Sequence, residues 1–284
     1  IGLRYEHISS EHSYSNFFPN ISLATQIGKF QTQLSYTTKI KRPFYNQLSS
    51  NMRYMNRFTY MSGNPDLKPE TIHDLTLSGS YKWLQFMISY QREKDAILYI
   101  TEQYKKNPAI TTVTHRNFNR IDNFSAFLTA SPAVGSWHPQ LTVGVQKQWA
   151  KIEHNGETLQ MDTPLFFCTL NNGIQLPYHW TLSTDINFQS KGDYQNIYMY
   201  QNVFMMNATL TKSFLNEHLS IHLQGIDLTH GRKDGNRIYN KHMNMDVANV
   251  SDSRELRFTI RYKFNTAKSK YKGKGAATEE IKRL

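Results

Sequence analysis

The sequence predicts an all-β fold, an antiparallel transmembrane β-barrel of about twelve strands. Three observations predict it. Apolar and polar residues alternate with period two over long stretches, the connections between those stretches alternate between short and long, and aromatic residues gather at the short-connection end.

The alternation is clearest near the C-terminus, where Leu256, Phe258, Ile260, Tyr262 and Phe264 interleave with Arg257, Thr259, Arg261 and Lys263. Trp180, Leu182, Ile186 and Phe188 interleave with Ser183, Asp185 and Asn187 in the same way. Leu84, Phe86, Ile88 and Tyr90 repeat the pattern, as do Leu219, Ile221 and Leu223. Successive side chains of a strand point to opposite faces, so each stretch has one apolar and one polar face. The strands expected on this basis are 2–9, 16–27, 30–41, 72–82, 84–104, 111–131, 137–152, 165–176, 180–189, 197–212, 218–228 and 254–264.

Short connections fall at Gly28-Lys29, Lys82-Trp83, near Gly135-Ser136, at Pro177-Tyr178-His179 and at Asn216-Glu217. Long polar ones fall at 43–70, 153–163 and 229–252, with shorter ones near 10–15, 105–110 and 190–196. Short turns on one side of a membrane and long loops on the other are the barrel pattern. Trp83, Trp137, Tyr178, Trp180, Phe214 and Phe264 sit at the short-turn end, as an interfacial aromatic girdle requires. A soluble β-sandwich would alternate too, but its loops would not sort by parity. Residues 1–264 are therefore expected to form the barrel and 265–284 a periplasmic tail.

Composition agrees. Hydrophobic residues make up 39% of the 284 and aromatics 13%, and the mean hydropathy is -0.60. No run of about 18 apolar residues exists to form a membrane-spanning helix. A barrel strand needs an apolar residue only at every second position. The lone Cys168 lies in the apolar run 164–170 and reads as a small hydrophobe, with no internal disulfide open to it. The net charge of +11 has no helix-turn-helix, zinc-finger or ribonucleoprotein motif beside it and is spread along the chain, so nucleic acid is not an expected partner.

The segment Ser62-Gly63-Asn64-Pro65-Asp66-Leu67-Lys68-Pro69-Glu70 resembles the Gly-Asn-Pro-x-Leu-Lys-Pro-Glu motif of TonB-dependent receptor barrels, which leads from an external loop into a descending strand. Physically it is a turn followed by a stiff, extended lead-in: Gly63 allows unusual dihedrals, and Pro65 and Pro69 fix their own φ and restrict the residue before them. Gly2-Leu3-Arg4-Tyr5-Glu6, Phe18-Pro19-Asn20-Ile21 leading to Arg42-Pro43, Thr211-Lys212-Ser213-Phe214-Leu215, and Arg261-Tyr262-Lys263-Phe264-Asn265 with the tail after it resemble the Bacteroidetes-type outer-membrane members of that family.

The resemblance implies the outer membrane of a Gram-negative bacterium, with lipid and lipopolysaccharide around the barrel. It implies uptake of a scarce nutrient such as a siderophore or glycan, no cofactor, and a surface lipoprotein as an accessory partner. Receptors of this kind have about 22 strands around a plug. The plug, the TonB box and about ten strands have no counterpart in this sequence, nor does a signal peptide precede Ile1. The chain is thus expected to be a C-terminal barrel portion that reaches the TonB system only through a plug supplied upstream. The alternative is a smaller, self-closed pore or anchor barrel.

Ligand contact, if the loops provide it, falls to aromatic and cationic side chains: Tyr54, Arg57 and Tyr60 in the first long loop, Tyr198 and Tyr200 in the 194–200 region, and Arg237 and Tyr239 in the last. The same residues could instead pack the loops together. The methionines and His242 show no metal-ligand spacing, and His218 and His222 would stand about 13 Å apart on a strand face, too far to share an ion. Arg257, Arg261 and Lys263 are expected in the lumen, facing a plug. No serine, histidine and acid converge by pattern, so an enzyme is not expected.

Overall fold

The computed structural model describes residues 1–8, 14–104, 106–154, 156–240 and 244–264. Twelve long strands form one meandering antiparallel wall: β1 (Gly2–Ile8), β2 (Tyr14–Ile27), β3 (Phe30–Lys41), β6 (Glu70–Tyr81), β7 (Leu84–Gln103), β8 (Thr111–Ala130), β9 (Trp137–His154), β11 (Leu165–Leu176), β12 (Trp180–Gln189), β15 (Val203–Phe214), β16 (Leu219–Ile226) and β19 (Glu255–Tyr262). Each pairs with the next in sequence order, so the wall is a chain of hairpins with β1 and β19 at its two edges. The remaining strands are short and lie in the long connections: β4 (Arg53–Asn56), β5 (Thr59–Met61), β10 (Glu157–Met161), β13 (Gly192–Tyr194), β14 (Ile197–Met199), β17 (Lys233–Tyr239) and β18 (Asn244–Val250), with one turn of helix, α1 (Tyr45–Leu48).

The twelve expected strands are the twelve of the wall. One boundary needs correction. Residues 197–212 are not a single strand: 197–199 leave the wall to join β13, β17 and β18 in a separate four-stranded sheet, and the wall strand starts at Val203. Alternation continues through both pieces, which is why the sequence does not show the break. The long connections also carry more structure than polar composition suggested. The expected tail 265–284, together with His242 and Met243, lies outside the described residues.

Register aligns side chains into rows across the wall. One row runs Leu34, Leu77, Ile88, Ala126, Val145 and Phe166. These rows form a face of exposed apolar side chains, among them Leu34, Leu77, Ile88, Leu128, Val143, Phe166, Phe204, Leu223, Leu256, Phe258 and Ile260. In water this face would be untenable; in lipid it is the required surface. Cys168 belongs to it, between Val143 and Phe188. Where polar groups interrupt the face they satisfy one another: Trp137 Nε1 donates to Asn172 Oδ1 at 3.2 Å and Asn172 Nδ2 donates to Thr184 Oγ1 at 3.0 Å.

The other face is mainly polar, with Met87, Phe127 and Phe167 among its side chains. Gln33 donates to Ser22 Oγ at 2.8 Å, Thr129 and Thr142 share a hydrogen bond at 2.9 Å, and His222 bonds Thr211 and Ser220 across and along the strands. Arg257 faces this side too and forks onto Glu255 at 2.8 and 2.9 Å. At the short-turn end Tyr81, Trp83, Trp137, Tyr178, Trp180, Phe214, Tyr262 and Phe264 are exposed. The turns there are tight: Gly28 (φ 60) closes β2 onto β3 and Lys82 (φ 54) closes β6 onto β7.

Candidate functional site

Strands β7 and β8 outreach their neighbours. β6 pairs with β7 only up to Lys94, and β9 pairs with β8 only down to Ile121, so the hairpin 95–118 stands above the wall with neither edge paired to a wall strand. Unpaired edge groups cost free energy unless something meets them. Here side chains from remote loops do so. On the β7 edge the Glu70 carboxylate accepts Ile97 N–H at 3.2 Å, Asn196 Nδ2 donates to Tyr99 O at 2.9 Å, and Asn240 Oδ1 accepts Thr101 N–H at 2.8 Å. On the β8 edge β5 pairs in parallel, Thr59–Met61 against Thr111–Val113.

The Gly-Asn-Pro segment connects these contacts. Gly63 N–H and Asn64 N–H donate to Ser49 O and Gln47 O, at 2.8 and 2.6 Å, meeting carbonyls at the end of α1. A Cβ on Gly63 would come within 2.5 Å of Gln47 O and 2.6 Å of Ser49 O, so only glycine fits. Asn64 Oδ1 accepts Asp66 N–H at 3.0 Å, forming the turn, while its Nδ2 donates to His115 O at 3.1 Å. Pro65 follows in that turn, Leu67 is buried, and Lys68 exchanges backbone hydrogen bonds with the Asn117 amide, at 2.8 and 2.9 Å. Pro69 then leads to Glu70, 2% exposed, which also receives Lys41 Nζ at 3.3 Å. The motif thus fastens the first long loop to the tall hairpin.

The seven candidate ligand residues fall into two groups. Tyr54, Arg57 and Tyr60 lie on the β4–β5 hairpin: Tyr54 and Tyr60 rings are 6.1 Å apart, Tyr60 meets Tyr104 edge-on at 5.5 Å, and Arg57 lies over Phe58 at 5.5 Å. Tyr54 is 71% exposed. Tyr198, Arg237 and Tyr239 lie on the four-stranded sheet and Tyr200 directly follows β14, with Tyr198 directly opposite Arg237. Tyr198 and Tyr239 pack on a core of Ala96, Leu98, Ile121, Ala150, Ile152 and Met161, and the Tyr200 ring lies against Gly235. Arg237 is bidentate to Asp246 at 2.7 and 3.0 Å. That pairing holds the Asp246 carboxyl below its ordinary range. Among the described residues no ring contact or hydrogen bond joins the two groups.

Several anchors carry no motif. Gln148, 2% exposed, donates from its amide to Gln195 O at 2.8 Å and accepts Gln195 N–H in return, tying the four-stranded sheet to the polar face of β9. Asp193 accepts Thr163 N–H at 2.8 Å. Asp227, 2% exposed at the start of the last long connection, accepts Gly231 N–H at 2.8 Å, Arg232 N–H at 3.3 Å and the Ser253 hydroxyl. Burial alone would raise the Asp227 carboxyl, but these hydrogen bonds outweigh it and hold it below the ordinary value. No group of three or more potential metal ligands occurs among the described residues.

A wall with one apolar and one polar face, an aromatic girdle at the short-turn end and structured loops at the other defines a transmembrane β-barrel wall of the bacterial outer membrane. The sequence pattern of the outer membrane protein beta-barrel family matches residues 1–262, and the chain belongs to that family. Its place is accordingly the outer membrane of a Gram-negative bacterium. No curated protein matches the sequence.

Solved structures share the fold. The siderophore receptor PirA from Pseudomonas aeruginosa aligns at TM-score 0.53 and 16% identity, over 77% of this chain and 40% of that one. The FrpB iron transporter from Neisseria meningitidis gives 0.55 and 14%, over 89% and 39%. The copper transporter OprC gives 0.57 and 10%, over 89% and 40%. The chain therefore spans about two fifths of the length of these structures.

Proposed function

We propose that this chain is the C-terminal barrel portion of a TonB-dependent receptor that takes up a scarce nutrient, a siderophore or glycan being the chemistry its aromatic and cationic loops suit. The observation that carries the reading is the pair of bare edges. β1 and β19 are the ends of the wall and are not paired with each other among the described residues. Both present apolar side chains on the lipid face, Leu3 and Tyr5 on β1 and Leu256, Phe258 and Ile260 on β19. Backbone groups left unpaired in lipid cost several kcal/mol each, so both edges call for neighbours. About ten further strands would close the wall at the size of a plugged receptor. The proposal gives Arg257, Arg261 and Lys263 the role of meeting a plug, leaves residues 265–284 in the periplasm, and makes TonB and a surface lipoprotein partners of the complete receptor.

The test has two arms. Cells making the complete gene product should accumulate a labelled ferric siderophore or oligosaccharide, and a protonophore should abolish that accumulation. The present chain, exported by itself, should give no heat-modifiable band on a gel. A heat-modifiable, protease-resistant monomer with single-channel conductance would replace the proposal with a self-closed pore.

A further inference from the structure

Above the apolar band the outward face changes character abruptly. On β7 the outward row runs Leu84, Phe86, Ile88, Tyr90 and then Arg92 and Lys94. Register carries this change across β8 and β9, where Asp122 lies opposite Arg92 and Trp149, and Arg120 opposite Lys94. Lys147 and Lys151 occupy the same outward row of β9 as Trp149, and Lys147 Nζ lies over the Trp149 ring at 5.4 Å. The outward rows of the next two strands, β11 and β12, contain no lysine or arginine.

The height of this patch follows from strand geometry. Nine residues separate Trp83, in the girdle, from Arg92. At about 3.4 Å per residue and about 40° of tilt they rise about 23 Å. The apolar band of an outer-membrane barrel is about 25 Å tall, so Arg92 stands at the level of the outer-leaflet headgroups. A cation deeper in the band would be costly; at this level it is met by polar lipid.

The cations are also arranged. Asp122, 7% exposed, accepts Arg92 Nε at 2.8 Å, Arg120 Nε at 2.5 Å and the Tyr90 hydroxyl at 2.9 Å. One carboxylate thereby fixes two guanidinium forks side by side. Arg120 and Lys151 line a recess of about 450 Å³ with Asp122, Trp149, Gln160 and Asp162. Five cations (Arg92, Lys94, Arg120, Lys147 and Lys151) stand with three carboxylates (Asp122, Asp162 and Glu153, the next residue in the outward row of β9), leaving an excess positive charge at a level where the opposite sign is supplied by lipid.

We infer that the outward face of β7, β8 and β9 above the apolar band binds the phosphate groups of a phosphorylated outer-leaflet lipid, of the lipopolysaccharide kind. Guanidinium forks suit phosphate oxygens, lysines add point charge, and Trp149 seats the sugar-to-acyl boundary. The inference rests on the outer-membrane placement of the wall and is independent of transport.

The test uses the complete gene product in nanodiscs of phosphatidylcholine containing bis-phosphorylated lipid A, read by native mass spectrometry. The wild type should retain lipid A and not the same lipid stripped of its phosphates, and inorganic phosphate should not displace it. The triple variant Lys94→Gln, Lys147→Gln, Lys151→Gln spares the Asp122 cluster and should weaken retention about 100-fold with an unchanged heat-modifiable band. Lys39→Gln, on the lumenal face, should leave retention unchanged. Lys151→Gln alone, read the same way, covers failure of the triple variant to fold. Equal retention by wild type and the lysine variants, equal retention of dephosphorylated lipid, or displacement by inorganic phosphate would each overturn the inference.

Discussion

Ile88→Arg should destabilise the barrel in a bilayer by about 2–4 kcal/mol, while Ser89→Arg, one residue on, should cost less than about 1 kcal/mol. The magnitude follows from depth. Ile88 lies five residues above Trp83 on β7, so it stands about 13 Å above the girdle, near the middle of a band about 25 Å tall. Its row neighbours are Leu77 and Ala126, and it is 41% exposed on the apolar face, so an arginine there finds lipid and no partner. Ser89 points the other way, between Thr76 and Ser125 on the polar face. The assay is a urea titration of the complete gene product in phosphatidylcholine bilayers, with folding read from gel mobility. Equal losses for the two variants would refute the assignment of faces. Ile260→Arg against Thr259→Arg repeats the comparison on β19, where Ile260 is 60% exposed and Thr259 lies opposite His222.

Glu70→Ala should cost about 1–3 kcal/mol, because the buried Ile97 N–H loses its acceptor; hydrogen exchange at Ile97 and protease cleavage within residues 42–69 should rise together, and unchanged exchange would deny Glu70 its capping role. Loop 227–254 should resist protease at neutral pH and open in acid. The folded Asp227 carboxyl titrates below its ordinary value of 3.8, so its stabilisation is complete above that value and is lost as pH falls through the lower, folded one; Asp227→Asn should open the loop at every pH. Tyr54→Ala and Arg57→Ala should weaken uptake and leave loop stability intact, whereas Tyr198→Ala and Tyr239→Ala, which remove core packing, should lower both; loop cleavage that rises equally in all four would remove the distinction.

The wall was legible in the sequence because each strand reports its own two faces. Period-two alternation needs no knowledge of the partner, and antiparallel hairpins pair nearest neighbours. The loops were not legible for the opposite reason. β13, β14 and β5 are three residues long, too short for alternation to register. What fastens the four-stranded sheet and its flanks to the wall is single amides acting across the chain: Asn196 on Tyr99, Asn240 on Thr101, Gln148 on Gln195. An isolated Asn or Gln carries no sign of such a partner. The break at 200–202 was hidden because alternation continues on either side of it. The basic patch does carry a signal in the sequence: Arg92 and Lys94 continue the same outward row as Ile88 and Tyr90, and a change from apolar to cationic within one row marks the membrane boundary.

The edges of this wall fall into two kinds, and the difference bears on what the chain is part of. Where β7 and β8 rise above their neighbours, the exposed backbone is met by Glu70, Asn196, Asn240 and β5, brought from positions 27 to 139 residues away in the side-chain bonds. That is how a protein treats an edge meant to stay an edge. β1 and β19 receive no such treatment among the described residues. Neither contains a proline, and Arg4, Glu6, Arg257 and Arg261 all lie in the rows facing away from lipid, so neither strand has a charged lipid-facing row to repel a neighbour. A self-closed barrel of this chain would have to bring β1 and β19 together by curling twelve strands to about half the circumference of a 22-stranded receptor. The tall hairpin and the four-stranded sheet packed on the polar face of β9 would then compete for a much narrower lumen. A larger ring leaves the loops where they are and gives each bare edge a strand to pair with, which is the physical ground for preferring the receptor portion to the small pore.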